Sequence, residues 1–416
     1  MTKIILHIDM NSYFASVEQQ ANPLLRGKSV GVCAYLSRNG CVIASSVEAK
    51  ERGVTVGLRA WEARAIDPQV ILIQNDPPKY RSVTRGIFSI LDNYTSKLEP
   101  YSIDEAFLDL TDQISSFAEA RTIGKEIQRR IRSEVGEWLR ASVGIAGTRW
   151  LAKFASDIAK ADSILVLPKS ELESCYRSVK LTDAWGINTA MERRLNYLGI
   201  NNLNDLKNYP ATNLMQVFGK MGYYLWANVN GIELGGVGQP PPPKTIGHSY
   251  CLPKRTLDRS YHQAILMKLC DRVGRRLRSH GREAKGIYLA VSYRGTVGYH
   301  KSHQTLTPLY DGWEIYAAAD KLFQAAPNDR VVVMIAVAVF ELRPFSGQLE
   351  LFNRKRQPRQ LVQAMDKIND KFGDFTLIRG QMWGTKKNAP ERIGFRKTVS
   401  LKELFQPPDL KLDKNE

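Results

Sequence analysis

Apolar positions in the first 170 residues come in short bursts that switch between alternation and three-to-four spacing. Residues 3–9 (KIILHID) read as a buried strand, 11–20 as a helix, 79–94 as a helix and 101–110 as a pair of strands. Residues 118–139 read as a long helix, 141–146 as a strand, 149–159 as a helix and 164–167 as a strand. Strand, helix, two strands, helix, strand predicts a ferredoxin-like α+β sheet with helices on one face. Residues 231–244, GIELGGVGQPPPPK, break this pattern: glycines that turn freely lead into four prolines that favour an extended tether. Beyond them, 257–279 and 311–326 have helical spacing, while GIYLAVSYR and VVVMIAVAVF read as strands, giving a second α+β domain. The stretch from 343 to 416 is polar and basic, with one helix expected at 360–371, and no repeat of solenoid period is visible.

At 416 residues the chain is too long for one compact domain, and 43% hydrophobic with 24% charged residues is globular composition. The longest apolar run, residues 331–340, is half of what a membrane span needs, and the first residues carry no export signal, so a cytoplasmic protein without membrane attachment is expected. Five cysteines (Cys33, Cys41, Cys175, Cys251, Cys270) form no CxxC pair and are odd in number, which fits reduced thiols better than a disulfide frame; His300 and His303 lack nearby cysteine and read as loop or surface residues, not zinc ligands. The net charge of +17 is uneven. Residues 1–243 hold 28 basic and 25 acidic side chains, 244–342 hold 15 and 8, and 343–416 hold 16 and 9. An excess confined to the later segments points to a polyanion grip, nucleic acid above all, set apart from a more neutral body; a solvated surface is the plainer alternative.

Three acidic residues sit where strands should be apolar. Asp9 ends IILHID, and Asp104 with Glu105 interrupts YSIDEAFLDL. Neighbours in a strand point to opposite faces, so Asp104 and Glu105 converge only at a bend, and a hairpin turn is expected there. With that hairpin beside the first strand, three carboxylates gather at one sheet edge, a set that suits Mg²⁺ bound together with substrate phosphates and two-ion phosphoryl transfer. Capping and surface roles remain open on spacing alone.

The strings HIDMNSYFASVEQ, NPLLRGKSVGV, GCVIASSVEAKERGVTVG, YSIDEAFLDL, SVGIAGTRWLAKFASDIAK and AWGINTAMERRLNYLGI, in this order, resemble the Y-family (translesion) DNA polymerases over residues 1–345. GCVIA, VEAK, AWGI and the long tail look more like the catalytic subunit of bacterial polymerase V than like polymerase IV. The resemblance implies a right-hand polymerase fold: palm at 1–10 and 76–167, small fingers at 11–75, a helical helix-hairpin-helix thumb at 168–232, a linker at 233–243, an α+β little finger at 244–342 and a basic tail at 343–416. It implies Asp9, Asp104 and Glu105 as catalytic ligands of two Mg²⁺ ions, joined by the Met10 carbonyl. Tyr13, Phe14 (the steric gate against ribonucleotides), Lys50 and Lys160 would contact the nucleotide, although lysine at 50 and Val47 replace the arginine and tyrosine of many relatives. Lys153, Gly186, Asn188, Arg272, Arg275, Arg276 and Arg278 would contact DNA, with Asn188 in the place of a hairpin glycine and FGKMG (218–222) as a second hairpin. Gln348, Leu349, Leu351 and Phe352 resemble the peptide that docks on the bacterial sliding clamp.

The expected function is Mg²⁺-dependent, template-directed DNA synthesis of low fidelity, without proofreading, in DNA damage tolerance and SOS-type mutagenesis. The expected partners are primer–template DNA, deoxynucleoside triphosphates, the clamp and an accessory subunit of polymerase V type, around a monomeric catalytic chain. Two rivals are a catalytically silent DNA- and clamp-binding scaffold, which the basic half alone would allow, and a palm-type nucleotidyl cyclase, which needs neither thumb nor basic domain.

Overall fold

The computed structural model describes residues 3–238, 242–346 and 356–389, which divide into two compact units on either side of the proline run. In the first unit, strand β1 (Ile5–Met10) leads through a tight turn into helix α1 (Tyr13–Ala21). Ser12 makes that turn at a φ of 50°, a left-handed conformation that costs a non-glycine residue about 1 kcal/mol. A small subdomain follows: β2 (Val30–Cys33), β3 (Val42–Ser45), α2 (Val47–Glu51), α3 (Ala60–Ile66) and β4 (Ile71–Gln74). Its three strands pair in the order β3-β2-β4 around a core that includes Val42, Val54, Ala60 and Ala63.

The chain returns through α4 (Pro77–Leu91), β5 (Leu98–Pro100), β6 (Glu105–Asp109), α5 (Phe117–Arg130), β7 (Ala141–Ala146), α6 (Arg149–Ile158) and β8 (Ile164–Leu167). The five-stranded sheet has the order β5-β6-β1-β7-β8, which contains the ferredoxin-like arrangement with β8 added at the edge parallel to β7. Helices lie on both faces, not on one as expected. Leu6, Ile8, Ala106 and Val143 turn toward α4 and α5, whereas Ile5, Phe107 and Ala146 turn toward α6. Gly144 permits the second contact, because a Cβ there would meet the Ala152 carbonyl oxygen at 2.0 Å. The long helix expected at 118–139 ends earlier, in a wide turn at Ile131–Val135 and an extended Gly136, where any Cβ would meet the Gln20 side chain at 2.7 Å.

Short helices complete the unit: α7 (Leu172–Arg177), α8 (Thr189–Asn196), α9 (Leu203–Asn208), α10 (Ala211–Phe218) and α11 (Lys220–Val229). Gly219, at φ 60°, joins α10 to α11, and Gly222 lets their backbones touch, since a Cβ on it would meet the Leu214 carbonyl oxygen at 2.2 Å.

The second unit runs β9 (Thr245–Cys251), α12 (Arg259–Ser279), β10 (Arg282–Tyr293), β11 (Tyr299–Leu309), α13 (Gly312–Gln324), β12 (Val332–Pro344) and α14 (Arg356–Phe372). Its antiparallel sheet has the order β11-β10-β12-β9, and Ile287, Leu289, Val291, Ile335 and Val337 pack against α12 and α13. Sequence reading found only β10 and β12. β11 was illegible because its residues, HKSHQT among them, are mostly exposed and carry no apolar alternation.

Two features of this unit concern residues singled out in the sequence. Residues 356–389, expected as part of a tail, fold onto it, burying Met382 and Ala389 in its core. The arginines of α12, expected as a DNA grip, are engaged by protein groups. Arg275 pairs with Asp370 and Asp374, and Arg278 pairs with Asp366 and donates to the Tyr310 carbonyl. Arg276 donates to the Gly247 carbonyl at 3.0 Å, and Arg272 lies over the Phe375 ring. Gln348, Leu349, Leu351 and Phe352 lie outside the described residues.

Candidate active site

The carboxylates meet through strand register. β1 and β6 are antiparallel with Asp9 directly opposite Glu105, so both side chains leave the same face of the sheet, the face covered by α6. Asp104 closes the turn between β5 and β6, as expected, and its carbonyl accepts from Met10 N at 3.0 Å, pinning the turn to the end of β1. Ser102 and Asp104 hydrogen-bond side chain to side chain within that turn.

Charge is concentrated here. Burial, then the fields of Asp104 and Glu105, push Asp9 well above the usual carboxylate range. Burial and Glu105 also raise Asp104, against the pull of Ser102. Glu105 behaves differently. Burial alone would raise it, but the close approach of His7 and the charge of Lys153 outweigh burial and bring it down to about 2. Glu105 Oε2 lies 2.7 Å from Lys153 Nζ and 3.3 Å from His7 Nε2. Lys153, expected on the DNA, is therefore a largely buried partner of the carboxylates, and it also reaches Asp157 at 3.2 Å.

The donor set fits hard divalent cations: oxygen ligands only, crowded enough to repel, with one lysine among them. Asp9, Asp104 and Glu105, with the Met10 carbonyl, are the residues that could hold such ions. Among the described residues no three acidic, histidine or cysteine side chains are drawn close enough to form a ready-made metal cage, and Glu105 is turned to Lys153.

The remaining positions divide. Phe14 is half-buried in the first turn of α1, its ring stacked on Tyr80 at 4.5 Å, and Tyr80 is fixed in turn by Glu18 at 2.8 Å. Tyr13, expected at the nucleotide, faces the interior instead: its hydroxyl donates to the Tyr80 carbonyl at 2.9 Å and meets Thr84 at 2.8 Å. Lys50 on α2 and Lys160, just past α6, are both exposed, and Val47 is exposed beside Lys50. Gly186 has the left-handed φ, 100°, that an amide-presenting turn needs. Asn188 does not; it is the N-cap of α8, at φ −97°, accepting from Met191 N at 2.8 Å, because a side-chain acceptor is worth more there than a left-handed backbone.

Three functional neighbours went unread in the sequence. His7 is wholly buried, with Nδ1 at 2.6 Å from Ser156 Oγ. Asn11 accepts from Asp162 N at 2.8 Å and donates to Ser142 Oγ at 2.9 Å, tying the segment that follows Lys160 to the end of β1. Arg149 forms a two-point pair with buried Glu99 and lies 4.2 Å over the Phe107 ring. The signal for His7 was available: a lone polar residue in an apolar strand, in register with Asp9.

Two family models match the chain: the impB/mucB/samB family over residues 8–157 and that family's C-terminal domain over 243–351. A DNA polymerase IV from Pelotomaculum thermopropionicum is 31% identical over 380 residues, covering 90% of this chain and 94% of its own. DNA polymerase IV 2 of Bacillus subtilis is 32% identical over 404 residues, covering 94% and 97%. A solved Y-family DNA polymerase chimera of Dbh and Dpo4 superposes with a TM-score of 0.73 at 25% identity, covering 82% of this chain and 99% of that one. Carboxylates in cross-strand register on a ferredoxin-like sheet, full-length relatives and a shared fold agree, and the chain belongs to the Y family of DNA polymerases, the translesion enzymes.

Proposed function

We propose that this polymerase adds deoxynucleotides to a primer end at the Asp9–Asp104–Glu105 cluster, with low fidelity and without proofreading, during DNA damage tolerance of the SOS type in the cytoplasm. The observation that carries the reading is the register of Asp9 against Glu105 with the Asp104 turn tied to Met10. Y-family polymerases require divalent metal ions. Two Mg²⁺ held by Asp9, Asp104, Glu105 and the Met10 carbonyl would supply charge neutralisation for the triphosphate and a lowered pKa for the primer hydroxyl. The protein's own groups do the rest. Phe14, held flat against Tyr80, is the gate below the sugar. Lys160 and Lys50 are exposed point charges for the triphosphate, lysine at 50 giving a weaker clamp than the arginine of many relatives.

We assign the palm to 1–10 and 76–167, the fingers to 11–75, the thumb to 168–232, the linker to 233–243 and the little finger to 244–342. Gly186 and the hairpin at Gly219 support a thumb that grips DNA phosphates with backbone amides. Small fingers with a small core check the nascent pair loosely, which favours damaged templates at the expense of fidelity. Gln348, Leu349, Leu351 and Phe352 are the segment that docks on a sliding clamp. The relatives, named DNA polymerase IV, speak for that type; GCVIA, VEAK and AWGI speak for a polymerase V type with an accessory subunit as partner.

Primer extension opposite an abasic site by the purified chain, with and without Mg²⁺, tests the reading. The wild-type chain extends the primer, and Asp104→Ala or Glu105→Ala abolishes extension while DNA affinity stays within a few-fold. Unimpaired synthesis by either variant overturns the assignment. A cyclase would make a small product without primer, and a silent scaffold would make none.

A further inference from the structure

We propose that Lys153 is a resident cation of the carboxylate cluster, holding Glu105 turned away until a divalent ion displaces it, so that this lysine sets the metal concentration at which the site loads. The inference rests on the function proposed above and concerns how that same site is controlled. Lys153 Nζ sits between two carboxylates, 2.7 Å from Glu105 Oε2 and 3.2 Å from Asp157 Oδ1, with its side chain 10% exposed. Asp9, directly across from Glu105 in the ladder, adds to the attraction.

A buried ammonium among carboxylates does electrostatically what a metal does, with one charge in place of two. It also takes a ligand out of the set. With Glu105 engaged by Lys153, the described residues present no complete group of three metal donors, although the register puts two of the three on one face. Helix geometry fixes the position: Lys153 and Asp157 are one turn apart on α6, and α6 lies against β7 because Gly144 has no side chain. The lysine is therefore delivered to the cluster by a rigid element, and what moves on loading is the Glu105 carboxylate. The two cations compete for one ligand.

This differs from a purely structural role in the sign of its consequence. If Lys153 only braces Glu105, removing it weakens metal binding. If it competes, removing it strengthens binding.

The test is Mn²⁺ binding to the full-length chain without DNA or nucleotide, read from the free-Mn²⁺ electron paramagnetic resonance signal, for wild type, Lys153→Met, Lys153→Arg and Asp9→Asn. Lys153→Met should bind Mn²⁺ roughly tenfold more tightly than wild type, since one unit of local positive charge is gone. Lys153→Arg, which keeps the charge, should bind no more tightly than wild type. Equal, weaker or undetectable binding by Lys153→Met overturns the proposal, as does an equal gain in Lys153→Arg. Thermal melting keeps the test open if Lys153→Met is too unstable to titrate: saturating Mn²⁺ should then raise its melting temperature by more than it raises the wild type's, and an equal or smaller rise overturns the proposal. Asp9→Asn separates the two levels of argument. Loss of binding there together with no gain in Lys153→Met removes only the role of Lys153, whereas unchanged binding in Asp9→Asn removes the metal site itself.

Discussion

His7 shows how much a single side chain contributes in this sheet. Wholly buried, it is held neutral by desolvation, with its pKa brought down from 6.5 to about 4, while Glu105 beside it falls from 4.5 to about 2. The signs of the two linkages agree. Below pH 6.5 the unfolded chain takes up a proton on His7 that the folded chain refuses until about pH 4, so stability declines across that window. Glu105 stabilises the folded state above pH 4.5, and that contribution disappears as the pH falls toward 2. Denaturant titrations from pH 7 to pH 3 should show His7→Gln losing less stability than wild type between pH 6.5 and 4, by on the order of 3 kcal/mol, and a smaller loss in the lower window too, because His7 is the foremost group holding Glu105 down. Phe14 makes the corresponding case for specificity. Its ring is immobilised by Tyr80, so Phe14→Ala removes a fixed wall: single-nucleotide incorporation should show ribonucleotide use rising at least tenfold relative to deoxynucleotide use, with deoxynucleotide incorporation retained.

At the scale of elements, the site depends on how β5, β6 and α6 are held together, and Arg149 is the clasp. Its guanidinium reaches Glu99 Oε1 at 2.7 Å and Oε2 at 3.0 Å, lies over Phe107, Tyr101 and Trp185, and its backbone N–H donates to Glu233. Glu99 is 4% exposed, so removing the arginine takes a two-point charge partner from a buried carboxylate. Arg149→Met should lower unfolding free energy by roughly 3–5 kcal/mol in chemical denaturation, and Arg149→Lys by less, since a point charge recovers part of the pairing but not the fork or the ring contacts. Extension by Arg149→Met should fall with its stability, because α6 packs on the sheet face that carries Asp9 and Glu105.

For the whole molecule the question is where the excess positive charge is available. The basic later segments suggested α12 as the polyanion grip, but α14 and the turn after it bring Asp366, Asp370 and Asp374 onto Arg275 and Arg278. Paired arginines release few counterions. The slope of log affinity for DNA against log salt should therefore change by much less than about 0.9 in Arg275→Gln, the value for one lost phosphate contact, while the variant's melting temperature falls. A full unit of slope lost without destabilisation would return Arg275 to the DNA.

The sequence alone determined the elements whose physics is local and the identity of the chemistry. The apolar runs in IILHID and 141–146 specify strands, the prolines specify a boundary, and acidic residues in apolar runs, read with the family strings around them, mark Asp9, Asp104 and Glu105. Tertiary structure decided everything that depends on which surfaces meet. That α6 covers the second face of the sheet follows from a missing Cβ at Gly144, that Lys153 lies against the carboxylates follows from where α6 then lies, and that Arg275 and Arg278 are paired with aspartates follows from a segment about ninety residues further along. A charge in a sequence has a sign but no partner, and only the folded chain assigns one.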